Sequence, residues 1–258
     1  MIIKTNDIQT TLNKLYNLLS TNTKVYYCRF GDGDLNIMFG TGRCIEHAAS
    51  PELQKELVGA FMIDAPNYIK GVMVNEPTFN GFSLQPVNSA RNKQILDLIE
   101  RLYDGEREEI TFDSHVLLTY LAVCQQDIMM NFLDVFIRPK KKLFIGSVDK
   151  NEIEKLVGKI DYYVKIPCAK VEEQKVFSGA YYSMDEWWPE VLKYVDDVEL
   201  VLPTAGMAGR VITKRLWNLN KNIHCIELGS MVDAVVGKPS RSVWVRSGSK
   251  IKNLLRDV

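Results

Sequence analysis

Tyr26-Tyr27-Cys28-Arg29-Phe30-Gly31-Asp32-Gly33-Asp34 decides how this chain is read. An apolar, β-favouring run stops abruptly at Gly-Asp-Gly-Asp, which puts a polar turn at the end of a buried strand. In an extended segment residues i and i+2 point to the same side, so Asp32 and Asp34 would face a single ion. Two close carboxylates need a compensating positive charge. A divalent metal is the usual supplier, and a metal-bound diphosphate is its common companion. Gly33 lets such a ligand approach the backbone. The plainer alternative is a solvated Asp-Gly turn.

Outward from this stretch, short strand patterns alternate with helical ones. Upstream, Ile8, Leu12, Leu15, Leu18 and Leu19 predict a helix over 7–19, capped by Asn6 or Asp7. Downstream, Ser50-Pro51 opens a helix to about Asp64, and 68–74 reads as a second strand followed by a long loop through Pro86. Asn88 or Ser89 caps a helix to about Asp104. Residues 109–112 form a third strand, and a helical region to about Ile137 breaks near Gln126-Asp127. Strands follow at 143–146, 160–166, 198–202 and 222–228, with helices over 149–157, 184–194 and 211–217. Residues 168–184 show no period. Such alternation means βαβ units, hence an α/β fold with a mostly parallel sheet flanked by helices. A single domain over 1–258 is expected, with an N-terminal helix in 1–20 and a basic C-terminal extension in 238–258 that carries Lys238, Arg241, Arg246, Lys250, Lys252 and Arg256.

The bulk numbers exclude several classes. Lys plus Arg equals Asp plus Glu at 32 each, so no net field draws in nucleic acid, though a local basic patch is compatible with that balance. Five cysteines, odd in number and without a C-x-x-C pair, argue for a reducing compartment, and three of them sit in apolar runs as small buried hydrophobes. Three scattered histidines give no zinc pattern. No signal peptide and no membrane-spanning apolar run are visible, so a cytoplasmic location is expected.

Ligands of parallel α/β sheets sit outside the carboxyl ends of the strands. Gly31 to Asp34, Asn75-Glu76, Asp113, Gly146 to Asp149, Thr204 to Arg210 and Gly229 to Asp233 all fall at such ends. The turn Thr204-Ala205-Gly206-Met207-Ala208-Gly209-Arg210 could aim backbone N–H groups and a helix dipole at a phosphate, with Arg210 and Lys214 adding charge. It is neither G-x-G-x-x-G nor a P-loop, and close packing of helix on strand is the alternative. Asp233 suits a general base, a sugar ligand or a helix cap. Asp113 and His115 suit a base or satisfied, partly buried groups. Trp187-Trp188 suits core packing better than stacking on a ligand.

Three of these segments also carry a resemblance. Arg29-Phe30-Gly31-Asp32-Gly33-Asp34 resembles the R-F-G-D-G-E signature of the GT-D-fold glycosyltransferases. Ala205-Gly206-Met207-Ala208-Gly209 and Glu227-Leu228-Gly229-Ser230-Met231-Val232-Asp233 resemble that family's other landmarks, in order and at fitting distances. The resemblance implies a Rossmann-like domain in which an acidic pair with Mn²⁺ (or Mg²⁺) holds a nucleotide-sugar donor. Asp32 and Asp34 would stand in that pair, with Asp34 in place of the usual Glu. Arg29, Phe30, Gly31, Gly33, Gly206, Met207, Ala208, Gly209, Arg210 and Ser230 would lie around the nucleotide, although some relatives have His at the position of Ser230. The implied activity is metal-dependent transfer of a sugar from a nucleoside-diphosphate sugar, a UDP-sugar first, to a glycan or other hydroxyl acceptor. Asp233, Asp113 and His115 are the candidate bases, in that order. Two alternatives stand beside it: a non-catalytic nucleotide- or phosphosugar-binding module, and the same enzyme class with a nucleic-acid acceptor on the basic C-terminal stretch.

Overall fold

The structure, a computed structural model, describes residues 1–40, 49–167, 179–237 and 242–256. Its strands are β1 (Ile2–Thr5), β2 (Tyr26–Phe30), β3 (Tyr68–Val72), β4 (Thr78–Phe79), β5 (Leu84–Gln85), β6 (Glu109–Ser114), β7 (Lys142–Gly146), β8 (Tyr162–Lys165), β9 (Leu200–Thr204) and β10 (His224–Ile226). The helices are α1 (Ile8–Ser20), α2 (Asp32–Met38), α3 (Pro51–Met62), α4 (Ser89–Tyr103), α5 (Leu117–Cys124), α6 (Gln126–Phe132), α7 (Lys150–Val157), α8 (Met184–Tyr194), α9 (Ala208–Asn218), α10 (Met231–Val235) and α11 (Ser242–Ile251). Eight strands form one sheet in the order β1-β6-β3-β2-β10-β9-β7-β8, and its neighbours pair in parallel.

The α/β expectation holds. Strands β2, β3 and β7 are buried along their whole length, as strands covered on both faces should be. Alternation sorts their side chains: Tyr26, Cys28 and Phe30 join one core with α2, α3, α4, α8 and α9. Tyr27 joins the other, with α1, α5, α6, α7, α10 and α11. Expected caps are in place. Asp7 accepts from Thr10 N at 2.7 Å, Ser50 from Leu53 N at 3.1 Å and Asn88 from Arg91 N at 3.0 Å. The helical region after β6 breaks at Gln125, next to the expected place.

Several expectations change. Strand β1 precedes the N-terminal helix and takes the sheet's edge; four residues alternating between exposed and half-buried are too short a pattern to read. The loop after β3 contains the hairpin β4–β5, paired antiparallel. The described part of the basic C-terminal segment is no solvated extension, because α11 buries Trp244 and Ile251 in the second core. Three of its cations are also engaged: Arg246 bonds to Asn80 O, Lys250 to Val123 O, and Arg256 pairs with Asp134. Lys238, Arg241 and the unpatterned 168–178 lie outside the described residues, as do Cys44 and Cys168. Cys28 and Cys225 are buried and Cys124 is exposed. Trp187 is buried with its Nε1 donating to Ala180 O at 3.1 Å, the packing role expected of it. No helix among the described residues is long and apolar enough to cross a membrane.

Candidate active site

The sheet changes direction between its neighbours β2 and β10. The chain leaves β2 into α2 on one face and leaves β10 into α10 on the other, which opens a crevice between their carboxyl ends. Arg29, the Gly-Asp-Gly-Asp turn, Glu227 and Gly229 lie there, and α9 brings Arg210 in from β9.

The acidic pair is not extended. Gly31 is the N-cap of α2, so Asp32 and Asp34 occupy its first turn. Two residues apart on a helix is roughly 200° around the axis, so the carboxylates diverge. Asp34 turns inward, 4% exposed, where its Oδ2 accepts from Gly31 N at 2.8 Å and from Arg210 Nη2 at 3.0 Å. Asp32 turns outward and pairs with Arg91 of α4 at 2.7 Å. The expectation that both face one ion is therefore corrected. At the helix start Asp34, the third residue, reaches back to the Gly31 amide, which is one half of a capping box, and both carboxylates favour the dipole. Among the described residues no group of three His, Cys, Asp or Glu is placed to hold a metal ion. With each carboxylate already matched by an arginine, the pair does not fit a two-carboxylate chelate for Mn²⁺ or Mg²⁺.

Arg210 is the centre of a buried charge network. Its Nη1 donates to Glu227 Oε1 at 2.7 Å and to Gly206 O at 2.6 Å, while Nη2 reaches Asp34. The expected phosphate-holding arginine is thus spent on two carboxylates. The small-residue turn folds back on itself: Ala208 N and Gly209 N donate to Ala205 O and Gly206 O at 3.1 and 3.0 Å. Met207 and Ala208 are core residues, and a Cβ on Gly209 would stand 3.4 Å from the Glu227 carboxyl carbon. Close helix–strand packing, the alternative weighed for this turn, is what the structure has. Phe30 is also core, edge-on to Phe61 at 5.1 Å between centroids.

Arg29 differs. Its backbone N donates to Glu227 Oε2 at 3.3 Å, but its guanidinium is barely used. Nη1 touches Thr119 Oγ1 of α5 at the 3.5 Å limit, and the buried Nε has no hydrogen-bond partner. The guanidinium lies against Gly229, where φ is +64° and any Cβ would overlap it. Glycine is required there on both counts. A buried guanidinium with unspent donors is rare, because each lost hydrogen bond costs about 1–3 kcal/mol.

The candidate bases separate. His115, just past β6, brings Nε2 to 3.4 Å from where a Gly31 Cβ would stand, and Asp34 Oδ2 is 3.7 Å from the same point. His115 and Asp34 thus converge on the turn. Asp113 does not join them: buried, it accepts from Lys14 Nζ at 2.7 Å and Asn6 Nδ2 at 3.0 Å, which ties α1 to the sheet. Asp233 is half-buried in the first turn of α10. Ser230 Oγ accepts from Trp244 Nε1 at 2.9 Å and so anchors α11.

Glu76 was not among the expected site residues. It follows β3 and reaches across to accept from Ser114 Oγ, His115 N at 2.9 Å and Val116 N at 3.5 Å. Burial pushes its acid up to about 7 against the pull of those donors and of Arg29. The polar strand end Asn75-Glu76 was its only sequence signal. A recess of about 510 Å³ between α1 and α6, lined by Leu12, Tyr16 and Ile128 among others, shares no residue with the crevice.

The fold is a known one. Three solved chains share it: a selenomethionine structure of domain of unknown function 1792, a protein of that domain from Streptococcus sanguinis described as a new glycosyltransferase, and a structure described as showing that the domain has a distinct glycosyltransferase fold. The S. sanguinis protein superposes with a TM-score of 0.63 at 15% identity, over 99% of this chain and 95% of its own. The other two give TM-scores of 0.61 and 0.60 at 16% identity, over 95% of this chain and 82% of theirs. No family model and no curated protein matches the sequence.

Proposed function

We propose that this chain is a glycosyltransferase that moves a sugar from a nucleoside-diphosphate sugar, UDP-linked first, to a hydroxyl acceptor. The observation that carries the reading is Arg29, a buried guanidinium with unspent donors in the switch-point crevice of a fold shared with a protein described as a glycosyltransferase. A guanidinium matches phosphate oxygens in a fork, and its fixed charge would stabilise the leaving diphosphate. His115, beside Gly31, is the base the geometry favours for the acceptor hydroxyl, with Asp233 second; Asp113 drops out because Lys14 holds it. A divalent ion at Asp32 and Asp34 would need both arginine pairs to break, so no step is assigned to one. The nucleic-acid acceptor loses support, since Arg246, Lys250 and Arg256 of α11 and its extension contact the protein itself.

The deciding experiment is a donor screen. The protein is incubated with UDP-, GDP-, ADP- and dTDP-sugars, with and without Mn²⁺, and nucleoside diphosphate release is measured. Release that Arg29→Ala removes supports the reading. Nucleotide binding without release under any condition would replace it with the non-catalytic module, and absence of both would sink it.

A further inference from the structure

Glu76 belongs to no helix or strand, yet it organises the wall of the crevice. It leaves the end of β3 and crosses to the start of α5, where three donors converge on it. Its Oε1 takes the Ser114 hydroxyl and the Val116 amide, and its Oε2 takes the His115 amide. Val116 is the N-cap of α5 and makes no side-chain cap bond, so the Glu76 carboxylate does the work of a cap from a distance. Two functional contacts hang from this segment. The His115 imidazole stands over Gly31 beside Asp34, and Thr119, one turn into α5, touches Arg29.

We propose that Glu76 is the positioning residue of this site: by gathering Ser114, His115 and Val116, its carboxylate sets where the His115 imidazole stands beside Gly31 and Asp34. The proposal rests on the transferase reading for its effect on turnover, but not for its effect on His115. Glu76 acts through His115 and touches no reacting atom.

The bond pattern makes the hold depend on protonation. The ionised carboxylate accepts from all three donors. Once protonated, its O–H can donate to Ser114 Oγ, but the oxygens become weaker acceptors for the two amides. Among the described residues, the charged and titratable groups that act on Glu76 are few. Arg29 of β2 favours the ionised form, Tyr27 of β2 is buried and neutral, and His115 donates its amide. Asp113 of β6 faces α1, where Lys14 balances it. Burial brings the Glu76 transition to about 7, within the working range of an enzyme.

The test is a pH titration of the full chain by NMR, following the His115 amide and imidazole signals from pH 5 to 9. Glu76→Gln mimics the protonated acid, since its amide can donate to Ser114 while only one oxygen accepts. In the unaltered protein the His115 amide should move with a midpoint near 7 and be protected from exchange above it. In Glu76→Gln that midpoint should vanish and exchange should quicken at least tenfold. Should Glu76→Gln fail to fold, Ser114→Ala, which removes one donor to the carboxylate, should raise the midpoint. With an active donor in hand, Glu76→Gln should lower kcat about tenfold with KM for the donor unchanged, and should flatten the acid limb of the pH profile. An unaltered His115 titration in Glu76→Gln, or an unshifted midpoint in Ser114→Ala, overturns the proposal whether or not the chain turns over a sugar. Failure of the donor screen with the His115 result intact overturns only the transferase reading.

Discussion

The two sides of the crevice hold buried arginines of opposite kinds. On the α9 side, both terminal nitrogens of Arg210 are engaged: Asp34, Glu227 and the Gly206 carbonyl accept from them, and the small-residue turn closes on itself. On the α5 side, the terminal nitrogens of Arg29 are nearly idle, with one contact at the hydrogen-bond limit and no carboxylate partner among the described residues. Both are equally shielded from water. The difference teaches that charge at a sheet edge is not in itself a site. What marks a site is capacity left over after the protein has used its own groups.

That contrast can be broken in four ways. The largest effect should come from Arg210→Met, which takes the guanidinium away from the buried carboxylates of Asp34 and Glu227 and should cost about 3–5 kcal/mol in a denaturant melt. A loss below about 1 kcal/mol would show that Arg210 is as idle as Arg29. Next, Glu76 makes stability depend on pH. Its folded-state acid constant lies above the unfolded one, so its stabilisation is complete below about 4.5 and is lost as pH rises through about 7. The loss amounts to about 3 kcal/mol at most. Glu76→Gln should remove that slope, which thermal melts at pH 5 and pH 8 would compare.

Third, Arg29→Ala should cut donor turnover by about a hundredfold or more, the scale of a lost charge-stabilising donor. It should leave the melting temperature almost unchanged, because little of the protein holds on to the guanidinium. A large drop in stability with intact turnover would reverse the assignment of the two arginines. Smallest is Asp32→Asn. Its pair with Arg91 is exposed on both sides and should be worth no more than about 1 kcal/mol. If Asp32→Asn and Asp34→Asn both abolish Mn²⁺-stimulated release while the fold survives, the first turn of α2 rearranges to form a chelate when donor binds.

Much of the frame was legible in the chain. Asp7, Ser50 with Pro51, and Asn88 announce helix starts, because capping chemistry is local and needs only neighbouring residues. The apolar run at 198–202 announces a strand covered on both faces, as β9 is, because period and composition are local too. Of the expected site residues, Arg29, Gly31, Asp34, His115 and Arg210 do meet at one edge. The partners of Asp113 and Ser230 were not legible, because an aspartate tied to Lys14 and a serine tied to Trp244 look like any others until distant segments are brought together. Asp-Gly-Asp was read as extended, although the same residues equally favour a helix N-terminus; periodicity cannot decide over four residues.

The sequence by itself determined the layers of this protein: which runs are strands, which are helices, and that their polar ends share an edge. Those are consequences of period and capping, which act over a few residues. Tertiary structure alone decided what each charge at that edge is for. Asp34 and Arg210 are 176 positions apart and become partners; Glu76 comes 39 positions before His115 and holds its amide; Arg29 is left with donors to spare. The physical reason is that a charge's role depends on its burial and its remaining partners, and both are set by residues far away in the chain.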